Sequence, residues 1–494
     1  MPSFPRSLCT LVAVVGLSGC AVFNEPINEL SRVESNIIQA LPEGAGSDDT
    51  TLVGLAFSGG GTRAAAFSYG LLKGLEATPL PGDAKGRSMI DVVRFISGVS
   101  GGSVTAAYYG LRGKQGYGDF REKFLIRDAE AGMSTSPSPG SIMRAIGGGV
   151  NNKSTFGRWL DQNLYAGARF ADMHRPGAPV IWINASDLYN RTPFVFNEET
   201  FAALCSDLST LPLSEAVAAS AAVPVVFSPI VLESYGQRCS YHPPGWIETA
   251  RSNPSAPGAL KAFALALETY RDPNKLKYVK LVDGGITDNF GVTGVTLARA
   301  AAQTPYGPLT PREAVRLKRV IYLVADAGRT PDVNWGSTVQ GPGVVDLVMA
   351  VTDTAIQNSV TAGFDAFRLT MQNWQNDLVE YRCGLKSEEV RRLRGTLAGW
   401  NCRDIKFFVS DVGFDELDTS MRAKLDKVAT RLKLPVDQVD LTIAAGEQAL
   451  QRNPGFIGAL RSMSGAPVVA GKERMIPGSA APLPASPSQL TVSR

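Results

Sequence analysis

The chain has 494 residues, 44% of them hydrophobic and 19% charged, with a formal net charge of +3. That is the composition of a globular protein long enough to bury a sizeable core. A near-neutral balance gives no concentrated basic face, so no nucleic-acid partner is expected.

Arg6 is the only charged side chain before Glu25, and an apolar run, Leu8 to Val15, follows it. Such a segment reads as a secretory signal and is too short to span a bilayer. It ends in Leu17-Ser18-Gly19-Cys20, which resembles a bacterial lipobox. The resemblance implies a signal peptide over 1–19, lipidation of Cys20 and a lipidated tether over 20–50. Ala21 stands where inner-membrane retention would favour Asp. The expected location is the bacterial cell envelope, at the outer membrane facing the periplasm. Cys205, Cys239, Cys383 and Cys402 then remain in an oxidising compartment. Four Cys allow three pairings, and the sequence-local one joins Cys205 to Cys239 and Cys383 to Cys402. No CxxC occurs and there are only two His, so no metal is expected.

Asn28 to Ala40 has a helical flavour, and Pro42 to Asp49 reads as a polar loop. Leu52 to Phe57 is a short apolar run suited to a buried parallel strand. Ser58-Gly59-Gly60-Gly61 turns the chain, and Thr62 to Glu76 carries Ala64, Phe67, Leu71, Leu72 and Leu75 at helical spacing. The pattern repeats with a strand at Val92 to Ile96, a turn at Gly98 to Gly102 and a helix at Ser103 to Leu111. Further strands are expected at Val180 to Asn184, Tyr278 to Val282, Val320 to Ala325 and Ile405 to Val409. Helices are expected at Ser214 to Ala222, Val292 to Ala302, Val344 to Gln357, Leu417 to Leu432 and Val436 to Gln451. Strands alternating with helices predict a three-layer α/β/α sandwich with a largely parallel central sheet. Residues 240–277 are Pro-rich and read as an irregular insertion or lid. The tail over 464–494 is rich in Pro, Ala and Ser and reads as poorly ordered.

Gly98-Val99-Ser100-Gly101-Gly102 has the G-x-S-x-G form between strand and helix. That context forces a tight turn with the serine at its apex, and the following helix N-terminus favours a developing oxyanion. A serine nucleophile needs a base. His174 and His242 both lie in Pro-containing irregular stretches, which makes a Ser-His-Asp arrangement poor. Leu281-Val282-Asp283-Gly284-Gly285 instead ends a predicted strand, where sites form in parallel sheets. A carboxylate in a dry pocket is a stronger base. The glycine run at 59–61 suits an oxyanion loop, with Gly101 following the nucleophile. A nucleotide phosphate loop is the rival, but no Lys follows the run.

These three motifs in this order resemble the patatin-like phospholipase family. Ala219 to Phe227 and Asp288-Asn289-Phe290-Gly291 add to the likeness, which spans roughly 51–330. The resemblance implies Ser100 as nucleophile, Asp283 as base, and Gly59, Gly60, Gly61 and Gly101 as oxyanion donors, with no cofactor. It further implies a phospholipid or lysophospholipid substrate cleaved by phospholipase A or lysophospholipase action through an acyl-enzyme. Ala64 replaces the last glycine of the family's loop pattern. The expected layout is a catalytic domain over 51–330, a C-terminal α/β extension over 331–463 packed on the core, and the tail. Acyl transfer to a non-water acceptor and a non-catalytic lipid-binding envelope lipoprotein are the alternatives. The sequence does not fix the oligomeric state.

Overall fold

Thr51–Phe57 forms a strand (β1) in which every residue is buried, as its uncharged run dictates. The computed structural model describes residues 24–31, 50–133, 149–153, 155–329, 339, 341 and 343–464. The expected signal peptide, Cys20 and most of the tether lie outside these residues, as does all but the first residue of the expected tail.

After β1 come helix α1 (Gly61–Ala77), strand β2 (Val93–Val99) and helix α2 (Gly101–Gly116). Strands β3 (Val180–Asp187) and β4 (Thr192–Phe196) follow, then helix α3 (Leu213–Ser220) and strand β5 (Ile230–Glu233). Helices α4 (Gly245–Ser252) and α5 (Gly258–Arg271) lead to strand β6 (Tyr278–Asp283). Helix α6 (Thr293–Ala301) and strand β7 (Arg319–Ala325) precede the long helix α7 (Val344–Gly384). Strand β8 (Lys406–Val412) and helices α8 (Val436–Arg452) and α9 (Pro454–Met463) follow, with shorter helices between these elements.

The sheet has eight strands in the order β5-β6-β3-β2-β1-β7-β8, with β4 added to β3. Strands β1, β2, β3, β7 and β8 run parallel, while β4 and β6 run antiparallel to β3. Both faces are covered, and period-two alternation shows it. Val53, Leu55 and Phe57 of β1 join one core cluster, with Phe67, Leu71 and Leu450 of the helices above. Leu52 and Ala56 join the other, with Tyr322, Phe367 and Trp374. Successive side chains of a strand point to opposite faces, so a strand apolar at every position serves two layers at once. The result is the predicted α/β/α arrangement.

The last third of the chain is woven into this frame. β8 pairs with β7 from Arg319↔Lys406 to Ala325↔Val412. Helix α8 lies directly on α1. A Cβ on Gly70 would meet the Ile443 carbonyl oxygen at 2.0 Å, and one on Gly446 would meet that of Phe67 at 2.2 Å. Two helices approach this closely only where neither carries a side chain.

Three expected elements change. The stretch 240–277 is not irregular: it folds into α4 and α5. Pro244 and Pro257 stand at the helix N-caps, ahead of the first turn, where a missing N–H removes no intrahelical bond. The helix expected at 344–357 continues to Gly384. The one expected at 417–432 shrinks to Thr419–Leu425. Cys205–Cys239 and Cys383–Cys402 are disulfides, with Cα separations of 5.6 and 4.9 Å. Among the described residues no helix is long and apolar enough to cross a membrane, and no three His, Cys, Asp or Glu gather to hold a metal ion.

Candidate active site

Ser100 stands between β2 and α2 with φ 50° and ψ −121°. A non-glycine residue at positive φ is strained. The surroundings hold it there. The Ser100 N–H donates to the Ser220 hydroxyl at 2.8 Å, and that hydroxyl donates to the Asn184 carbonyl at 2.6 Å. Ser103 donates its hydroxyl to the Ser100 carbonyl at 2.6 Å. Small neighbours are obligatory on both sides. A Cβ on Gly98 would meet the Ser103 Cα at 2.6 Å, and one on Gly102 the Phe57 carbonyl oxygen at 2.4 Å.

Asp283 reaches Ser100 through the sheet. β2 pairs with residues 180–184 of β3 and β4 with residues 183–187, so these two use opposite edges of β3. β6 pairs with 185–187, which overlaps β4, so it takes the same edge as β2. Val99 pairs with Asn184, and the next residue of β3, Ala185, pairs with Asp283. The two strand ends therefore abut, and the Ser100 hydroxyl lies close enough to the Asp283 carboxylate to lower its pKa against the effect of burial. The carboxylate accepts the Gly285 N–H at 2.8 Å. Burial outweighs both and pushes Asp283 up to about 6. Gly284 is needed here too, since a Cβ would meet the Asn184 carbonyl oxygen at 2.3 Å.

The glycine run closes the third side. Gly60 and Gly61 have φ of 139° and 63°, which L side chains rarely adopt. Gly61 abuts the elbow: its carbonyl oxygen lies 1.9 Å from where a Gly101 Cβ would stand. Gly59 is a correction to the expected donor set. Its N–H donates to both the backbone and the side-chain oxygen of Asn289, each at 3.2 Å, so it anchors the loop and has no bond to spare. The N–H groups of Gly60, Gly61 and Gly101 have no acceptor among the described residues. Arg63 tethers the loop from beneath, donating to the Ala327 and Val428 carbonyls at 2.9 and 2.7 Å. Burial lowers its guanidinium to about 10, which leaves it charged at neutral pH.

The structure thus brings together Ser100, Asp283, Gly60, Gly61 and Gly101, with Gly59 in support. His174 and His242 are exposed and belong to no contact of Ser100 or Asp283. Sequence reasoning did not assign Asn184, Ser220 and Asn289 as the residues that pin the elbow and the loop. Their signal was present for two of them, in the stretches around Ser220 and Asn289. Chemically, the arrangement offers a hydroxyl beside a buried base, next to N–H donors with no acceptor among the described residues and to a helix N-terminus.

A strand-turn-helix serine beside a strand-end carboxylate, on a largely parallel sheet covered on both faces, is an arrangement that serine hydrolase chemistry could use. Residues 55–296 match the family model described as "Patatin-like phospholipase", and this segment is a patatin-like phospholipase domain. Among solved structures, the chain is similar to human GIVD cytosolic phospholipase A2, at 14% identity and a TM-score of 0.38, covering 84% of this chain and 62% of that one. It is also similar to VipD from Legionella pneumophila, at 13% identity and a TM-score of 0.27, covering 87% and 70%. The ExoU–SpcU complex of Pseudomonas aeruginosa gives 17% identity, a TM-score of 0.20 and coverage of 46% and 47%. The chain spans less than two thirds of the human enzyme's length. No curated protein matches the sequence.

Proposed function

We propose that the protein hydrolyses carboxylic esters of lipids, with phospholipids or lysophospholipids as substrates. The observation that carries this reading is that Ser100 and the buried Asp283 stand together at adjoining strand ends, with no histidine beside either among the described residues. Asp283 takes the Ser100 proton as the oxygen bonds to the ester carbonyl carbon. The oxyanion is held by the N–H groups of Gly60, Gly61 and Gly101. The bond to the leaving alkoxide breaks, and Asp283 returns the proton to it. Water then repeats the sequence and frees the acyl group. Each well-aimed donor is worth about 3 kcal/mol of barrier. The family match supports lipid esters as the substrate class.

The test is lipid-product analysis of purified protein with mixed phospholipids. Free fatty acid should appear with wild type and be absent with Ser100→Ala. Fluorophosphonate should label wild type alone. Fatty acid release by Ser100→Ala equal to wild type overturns the reading, and acyl chains appearing on an added alcohol in place of free acid assign a transferase.

We also propose that a lipid on Cys20 holds the protein on the bacterial envelope. The charge and apolar pattern ahead of Leu17-Ser18-Gly19-Cys20 supports this. Cys20→Ser should abolish incorporation of labelled fatty acid and shift the protein out of the membrane fraction. Unchanged labelling and fractionation would sink the anchor.

A further inference from the structure

A cavity of about 970 Å³ opens at the start of β3, at the opposite end of the strands from Ser100. It lies at the upper end of the range for pockets that hold drug-sized ligands, roughly 300–1,000 Å³. None of the residues around Ser100 and Asp283 lines it. Trp182, Phe196, Phe263 and Leu297 give it apolar walls. Two consecutive carboxylates, Glu198 and Glu199, stand among them.

Neither carboxylate forms an ion pair with a described residue. Glu199 accepts the Trp246 indole N–H at 2.8 Å. Glu198 has no hydrogen bond or ion pair with any described residue. Two basic side chains face the cavity. Arg175 turns its guanidinium to the Gly110 carbonyl, and His174 acts on Glu198 only at a distance. Glu198 is exposed to solvent and Glu199 half-buried, and partial desolvation raises both carboxyls above their ordinary range. Negative charge beside apolar walls is stabilised by an entering cation and repels an anion. Trp182 lines the same cavity, and an aromatic face is a favourable surface for an ammonium group.

We propose that this cavity is a second binding site, distinct from Ser100, for a single-chain amphiphile with an amine or quaternary-ammonium head and an apolar body. The head rests at Glu198 and Glu199, and the body lies against Trp182, Phe263 and Leu297. The site is independent of the hydrolase reading, because it shares no residue with the Ser100 centre.

Calorimetric titration of the whole protein tests it, with dodecyltrimethylammonium and dodecyl sulfate as probes, both below micelle-forming concentrations. The cation should bind at one per chain and at least tenfold more tightly than the anion. The double variant Glu198→Gln/Glu199→Gln should weaken the cation at least tenfold with melting temperature and ester turnover unchanged. Ala298→Trp, which fills the cavity from α6, should abolish binding in protein that still melts cooperatively. Equal affinity for the two probes overturns the proposal, as does unchanged affinity in the double variant. If Ala298→Trp does not fold, the double variant alone decides.

Discussion

Asp283 answers two opposed demands. Stability asks a buried carboxyl to be neutral, while a general base must be ionised. Its value of about 6 against an ordinary 3.8 settles the sign of both effects. The folded state holds the proton more tightly than the unfolded chain. Its contribution to stability is therefore full below about 3.8, is lost as pH rises through 6, and stays absent above. Asp283→Asn mimics the protonated form. It should melt at a higher temperature than wild type at pH 7.5 while losing at least a thousandfold in ester turnover. In wild type, kcat/KM should rise about tenfold per pH unit up to about 6 and level off above; a profile that falls through this window excludes Asp283 as the base. The residues proposed for this chemistry were legible in the sequence because each lies in a motif with a geometric reason: an elbow, a strand-end Asp-Gly-Gly, a glycine turn. The occupied N–H of Gly59 was not legible, since its acceptor Asn289 lies 230 residues away. A pattern of glycines shows that backbone approach is possible, not which N–H stays free.

At the scale of elements, the strands were easier to find than the helices around them. β1 and β7 are buried on both faces, so an unbroken apolar run identifies them. The stretch 240–277 failed because proline was read as a breaker, whereas at Pro244 and Pro257 it opens helices. The long helix α7 has no glycine or proline between Val344 and Thr361, but its mixed polarity hid where it would end. The α1–α8 crossing could not be read at all, because it depends on two glycines, Gly70 and Gly446, each lying against the backbone of the facing helix. That contact is testable. Gly446→Leu should push α8 off α1 and destabilise the fold by about 1–3 kcal/mol or more, seen as a lower denaturation midpoint. Because α1 begins at Gly61, the same variant should slow ester turnover; wild-type stability would show that the two helices are not pressed together.

At the scale of the molecule, the chemistry rests on one strand that changes partners. β3 is bordered by β2 as far as Asn184 and by β6 from Ala185 onward, and the two reactive side chains face each other across that handover. Neither half of the chain holds a complete centre. The exposed link at Asn253 to Ser255, between α4 and α5, divides Ser100 from Asp283 without separating Cys205 from Cys239 or Cys383 from Cys402. Cutting the polypeptide there should give two pieces that are each inert toward esters. Mixed and refolded together, they should recover turnover as β6 docks on the free part of β3. On the proposed function the chain should then behave as a complementation pair joined by a tether, and recovered turnover would report whether its two portions have found each other.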